Sequence, residues 1–370
     1  MEVPTARSAA VAAARELAVP GVAGVATGLP EHHYRQRDLA ELAHRFIGAR
    51  KTIGSVERFF DRVGVTERYL ALPAHEYAAL SGLEQRNDAW IRASTSLGQR
   101  VIAKALAGVG LRAADIGLFV TTSVTGIAVP SIDARLMNLL PFAPSTKRMP
   151  LFGLGCLGGA AGLARTAEYL RAFPDQAALF LSVELCSLTF QPDDGSVANL
   201  ISTGLFGDGA AAVVLVGPRH PLHREVGRPR VVASRSVFFP NTERVMGWDV
   251  VDSGFKIVLS ADVPKIVSTH VPGAVDDFLA EHGLGRRDIT SWIMHPGGPK
   301  VIDAMQESLG LSPADLQPTR DSLSKVGNLS SASVLFLLDE HSRRAHERGS
   351  YAVLMAMGPA FCAEIVLLQW

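Results

Sequence analysis

A pattern that occurs twice constrains this 370-residue chain more than any other feature of it. Gly110–Leu111 and Asp115–Ile116 lead into the apolar run Gly117–Thr122, and Gly283–Leu284 and Asp288–Ile289 lead into Ser291–His295; from 115 to 288 the offset is 173. Further on, Gly155-Cys156-Leu157-Gly158-Gly159-Ala160 is answered by Gly327-Asn328-Leu329-Ser330-Ser331-Ala332, and from 156 to 328 the offset is 172. Each second match is followed by a helix-like stretch and an apolar strand, Ala178–Val183 and Tyr351–Met357. The period is too long for a solenoid. Two matches in one order at nearly one offset predict a duplicated α/β unit with helices covering its sheets. The halves are expected at 19–225 and 226–370, behind an Ala-rich flexible tail over residues 1–18.

Duplication has a geometric consequence. Cys156 and Asn328 occupy equivalent positions, each at the start of a buried helix in its own half, so packing about a pseudo-twofold axis makes them converge. His295 is delivered by an apolar strand into the turn Pro296-Gly297-Gly298-Pro299, where the strand cannot continue. That puts it at the carboxyl edge of a sheet, where open α/β folds gather ligands. A helix start favours a thiolate, so Cys156 is the candidate nucleophile. The plain alternatives are a packed free cysteine, a satisfied turn histidine and an N-capping asparagine.

Composition narrows the partners. Thirty-six basic residues balance thirty-six acidic ones, leaving no net field for nucleic acid or an anionic membrane. No run reaches a membrane-spanning length and no signal peptide opens the chain, so a cytoplasmic protein is expected. Three cysteines, Cys156, Cys186 and Cys362, build no disulfide framework, and no spacing suits a metal. No metal and no cofactor are expected.

A Cys, His and Asn set permits two chemistries, hydrolysis through an acyl-enzyme or carbon–carbon bond formation through the same intermediate. In the second, an imidazole N–H and an amide N–H stabilise the enolate left when a malonyl group loses carbon dioxide. The residues by themselves leave both open.

The stretches Gly155-Cys156, Glu184–Phe190, Leu205–Ala210, His295–Pro299 and Gly327–Ala332, in this order, resemble the type III polyketide synthases, the chalcone- and stilbene-synthase-like branch of the thiolase superfamily. The resemblance runs from about Val19 to Trp370. It implies a five-layered αβαβα fold, a homodimer, and iterative condensation of malonyl-CoA onto an acyl-CoA starter, with the chain on Cys156 and decarboxylation at His295 and Asn328. It implies further that Phe206 is a gatekeeper and that Cys186, Trp248, Ile257, Ser330, Gly358 and Pro359 shape the substrate cavity. Arg58 and Arg62 align with cations that meet CoA phosphates, although Ser55 stands where a lysine is expected. Ile257 replaces a gatekeeping Phe of plant members, Cys186 replaces a Thr, and Trp248 replaces a small Gly. These departures lead us to expect fatty or short branched starters in preference to 4-coumaroyl-CoA, giving alkyl-pyrones or alkyl-resorcinols. The competing expectations are malonyl-CoA as both starter and extender, a single-condensation synthase acting with an acyl-carrier protein, and a cysteine acyl-hydrolase.

Overall fold

The computed structural model describes residues 19–47, 53–224 and 228–370. The expected tail, residues 1–18, and the expected boundary at 225–226 lie outside the described residues. In the first half the strands are β1 (Gly21–Gly28), β2 (His32–Arg35), β3 (Glu67–Leu70), β4 (Ile116–Thr122), β5 (Lys147–Leu151), β6 (Ala177–Leu185) and β7 (Asp208–Val216). In the second they are β8 (Arg230–Phe238), β9 (Met246–Val251), β10 (Gly254–Leu259), β11 (Ile289–Met294), β12 (Tyr351–Gly358) and β13 (Cys362–Gln369). Nine of these run in the order β11-β12-β13-β8-β1-β7-β6-β4-β5. Within this sheet the halves join where β1 meets β8, at the pair Gly21 and Arg230.

The duplication read in the sequence is present strand by strand. β4 lies parallel to β6, which is antiparallel to β7, which is antiparallel to β1; β11, β12, β13 and β8 repeat those senses in that order. Even an irregularity recurs, a register shift between Ile116 and Leu118 and another between Ile289 and Ser291. The aspartates that drew attention in the sequence close the turns before β4 and β11, Asp115 accepting the Arg112 N–H at 2.9 Å and Asp288 the Gly285 N–H at 2.7 Å.

Packing supplies the layers. β6 and β7 are buried along their whole length, as strands covered on both faces must be. Alternate residues of β4 go to different cores: Phe119 faces the long helix Leu83–Val109, whereas Leu118 and Val120 face helices Gly158–Ala172 and Ser333–Ser342. β12 divides likewise, with Leu354 toward those middle helices and Val353 and Met355 toward helices Val263–Glu281 and Pro299–Leu309. Helix, sheet, paired helices, sheet and helix make the five-layered αβαβα thiolase-like fold. Among the described residues, no helix is long and apolar enough to cross a membrane.

Candidate active site

The two central helices begin where the halves touch. In front of each, a glycine takes a left-handed turn, Gly155 at φ 52° and Gly327 at φ 74°, a conformation an L side chain adopts at a cost. Cys156 follows one and Asn328 the other. The helix heads then interlock, because a Cβ on Gly159 would lie 2.1 Å from the Ser331 carbonyl oxygen. The first half supplies the glycines and the second the serines of the same repeated position, so the backbones can approach. Asn328 is also held by its main chain, its N–H donating to the Leu205 carbonyl and its carbonyl accepting from Gly207, both at 2.9 Å.

Cys156, His295 and Asn328 all line one cavity of about 350 Å³, with Phe206, Trp248, Ile257, Ser330 and Pro359 on its wall. His295 follows β11 directly and is buried, its N–H donating to the Met355 carbonyl at 2.9 Å. Among the described residues its Nδ1 is buried without a partner, which leaves Nε2 as the nitrogen toward the cavity. Asn328 Oδ1 accepts the Ser330 N–H at 2.8 Å and the Ser333 hydroxyl at 3.5 Å. The amide is thereby oriented with its Nδ2 donors toward the cavity. Capping and presentation of an N–H donor coexist in this one side chain.

The electrostatics differ from the expectation based on the helix start. Burial pushes the Cys156 thiol up to about 12; its hydrogen bond to the Ser330 hydroxyl, at 3.6 Å, acts against that, and the Glu184 carboxyl adds to it. Burial likewise pulls His295 down to about 3. Burial therefore favours the neutral form of both groups. Ser330, at φ 49°, is a non-glycine residue in the left-handed region, the kind of local strain found where a site must be held open.

Three of the expected cavity residues form a partition. Trp248 and Ile257 are direct cross-strand partners in the β9–β10 hairpin, and the Trp248 ring stands 6.5 Å from that of Phe206. All three line both the larger cavity and a second one of about 90 Å³. Cys186 lies on this second cavity rather than on the first. It is buried, and burial holds its thiol well above the ordinary range. Gly358 is a packing residue rather than a wall residue: a Cβ there would meet the Leu154 carbonyl oxygen at 2.5 Å. Arg58 and Arg62 are both exposed on helix Ile53–Arg62, but only Arg62 reaches the larger cavity, where the exposed Lys300 joins it.

Sequence reasoning missed Lys300 and two buried charges. Glu184 accepts from Val124 N–H at 3.1 Å, from the Thr125 hydroxyl at 3.0 Å and from the Ser331 hydroxyl. Burial nevertheless raises it to about 7. A lone acid in the apolar run Ala177–Leu185 was the available signal. Arg68 donates to the Thr203 and Phe206 carbonyls at 2.5 and 2.8 Å and to Gln36 Oε1 at 2.9 Å. It fastens the turn that Asn328 pairs with; nothing local in the sequence marks it. Among the described residues, no group of His, Cys, Asp and Glu could hold a metal.

Comparison with known proteins gives this geometry a family. The family model for the N-terminal domain of chalcone and stilbene synthases matches residues 7–219, and that for the C-terminal domain matches residues 230–370. A 1,3,6,8-tetrahydroxynaphthalene synthase of Streptomyces peucetius subsp. caesius is 48% identical over 353 residues, covering 94% of this chain and 93% of the relative. An alpha-pyrone synthesis polyketide synthase-like protein of Mycobacterium tuberculosis is 31% identical, covering 94% of this chain and 90% of the relative. The crystal structure of a 1,3,6,8-tetrahydroxynaphthalene synthase from Streptomyces coelicolor superposes with a TM-score of 0.88 at 31% identity, covering 95% of this chain and 99% of that one. The chain thus belongs to the chalcone and stilbene synthase family, the type III polyketide synthases, acyltransferases that work by decarboxylative Claisen condensation.

Proposed function

We propose that Cys156 carries the growing chain and that His295 and Asn328 decarboxylate malonyl-CoA in the larger cavity. The observation that carries this reading is the orientation of Asn328, whose Oδ1 is occupied while its N–H donors face the cavity shared with Cys156 and His295. His295 Nε2 takes and keeps the thiol proton as Cys156 attacks an acyl-CoA thioester, and CoA leaves as the thiolate, which water protonates. The malonyl thioester carbonyl then accepts from His295 Nε2–H and Asn328 Nδ2–H. Loss of carbon dioxide leaves an enolate held by those donors, and its carbon attacks the Cys156 thioester, forming the new carbon–carbon bond and releasing the thiolate. Thiol, imidazole and amide account for each step without a cofactor. Arg62 and Lys300 supply cations for the CoA phosphates at the mouth. Exposed Ile127, Val129, Leu139 and Phe152, in the segment around edge strand β5, are assigned to the contact with a second copy in a homodimer.

The starter is small or flexible rather than a bulky phenolic acyl group, because the cavity wall is mostly apolar and an unpaired phenol loses hydrogen bonds on entering it. A second reading, malonyl-CoA as both starter and extender, is favoured by the 48% identity to a tetrahydroxynaphthalene synthase, since hydroxyls on alternate ring carbons are what closure of an unbranched poly-β-keto chain gives. Mass spectrometry of products from malonyl-CoA alone, and with hexanoyl-CoA, a long-chain acyl-CoA or 4-coumaroyl-CoA, separates the two. Aromatic product from malonyl-CoA alone, with no incorporation of added acyl-CoA, establishes the second reading. Consumption of acyl-CoA without malonyl-CoA turnover removes both and leaves a hydrolase.

A further inference from the structure

The helix heads that meet at the active site differ at one repeated position. Gly158 and Ser330 correspond, since from 158 to 330 the offset is again 172. Gly158, which could turn either way, is right-handed at φ −55°. Ser330, which turns the other way only at a cost, is left-handed at φ 49°. The repeated backbone therefore does not impose the turn. A Cβ on Gly158 would lie 2.7 Å from Thr122 Oγ1, so the first half has no room for a side chain there. The second half carries one, and the turned backbone places it against Cys156.

Ser330 is 2% exposed and lines the larger cavity. Its hydroxyl stands 3.6 Å from Cys156 Sγ, within the reach of a hydrogen bond to sulfur, and among the described residues Cys156 is that hydroxyl's one partner. Its N–H donates to Asn328 Oδ1 at 2.8 Å. One residue thus touches the sulfur through its side chain and the amide through its main chain. While the thiol holds its proton, the hydroxyl accepts from S–H; once the proton has left, the same hydroxyl rotates and donates to the thiolate. Burial pushes the thiol up, and of the effects that oppose it the Ser330 hydrogen bond is the largest.

We propose that Ser330 is a further catalytic residue, whose hydroxyl donates a hydrogen bond to the Cys156 thiolate when it forms for acyl loading and again when condensation releases it. This rests on Cys156 as the chain carrier. The thiol proton passes to His295 Nε2 and the hydroxyl keeps its own, so no bond to Ser330 forms or breaks. A donor aimed at a charged sulfur favours the thiolate over the thiol.

Alkylation of the full chain by iodoacetamide at pH 8, followed on the Cys156 peptide by mass spectrometry, tests it. Ser330→Gly, which suits the left-handed turn and keeps the N–H to Asn328, is expected to slow alkylation about threefold. About tenfold less thiolate forms without the donor, and the more basic sulfur regains part of that in reactivity. Ser330→Ala, close to serine in volume, should behave the same. Single-turnover acyl loading should fall by more than carbon dioxide release from malonyl-CoA, because both variants retain the main-chain hold on Asn328. A wild-type alkylation rate in Ser330→Gly, or equal losses of loading and decarboxylation, overturns the proposal, and the glycine variant decides even if the alanine one does not fold. Acyl label retained by Cys156→Ala removes the chain carrier and the proposal with it, whereas a wild-type alkylation rate in Ser330→Gly removes the proposal alone.

Discussion

The two halves of this molecule share a backbone and divide the chemistry. Each places a left-handed glycine, a functional side chain and a helix head at the same point, yet one presents a thiol and the other an amide. Both halves bury acids that desolvation raises, Glu184 and Asp208 to about 7 and about 6 in the first, and Glu364 and Asp339 in the second. The second half adds buried histidines, His295 and His341, lowered to about 3 and about 4. A duplicated scaffold thereby acquires an asymmetric cavity without an asymmetric fold: the backbone fixes where two side chains meet, and each half is free to change which ones they are.

The strongest way to break this comparison is to remove the first half's contribution. Cys156→Ala is expected to abolish acyl loading from radiolabelled acyl-CoA with the fold intact, whereas Cys186→Ser, behind the Phe206–Trp248–Ile257 partition, keeps the label; stoichiometric label on the alanine variant removes Cys156 as nucleophile. Removing the second half's contribution leaves loading in place. Asn328→Ala should still acylate but release carbon dioxide from malonyl-CoA about a hundredfold more slowly or worse, the scale for losing one oxyanion donor. Arg68→Met tests whether the seam between the halves matters. It leaves Asp208 without its counter-charge and two carbonyls unpaired, so a stability loss of about 3 kcal/mol in denaturant unfolding is expected. Decarboxylation should fall about tenfold more than acylation, with partial rescue by Arg68→Lys; equal losses in the two assays make Arg68 a stability residue only.

The smallest expected effect is on pH dependence. In the unfolded chain a histidine gains its proton near pH 6.5, but folded His341 gains it only at about 4. Between those values the unfolded state binds more protons, so His341 costs stability as pH falls. Glu184 and Asp208 act oppositely: folded, they keep protons that the unfolded chain has released, so their contribution weakens as pH rises toward 7. His341→Tyr should therefore flatten the loss of unfolding free energy between pH 6.5 and 4 by up to about 3 kcal/mol. An acid limb identical to the wild type's shows that His341 titrates normally.

Much of this site was legible because duplication converts sequence distance into spatial equivalence. Once Cys156 and Asn328 were recognised as copies of one position, their convergence followed from packing two like units, and the strand–turn signal placed His295 at the same edge. Periodicity could also predict the covered sheets, since β4, β6, β7 and β12 are apolar on both faces. It could not say that Trp248 and Ile257 pair across a hairpin, that Cys186 falls beyond them, or that Gly358 packs against the turn around Cys156 instead of lining the wall. Those outcomes depend on how side chains from distant segments fill space. The helix-start argument for a thiolate reads local sequence only, whereas the desolvation that pushes the Cys156 thiol up is set by everything that surrounds it. The sequence by itself determined the repeat, the layers and the three residues that converge. Only the tertiary structure decided the partition, the placement of Arg68, Glu184 and Lys300, and the burial of His341, because burial and close approach are properties of the packed halves and not of either one's pattern.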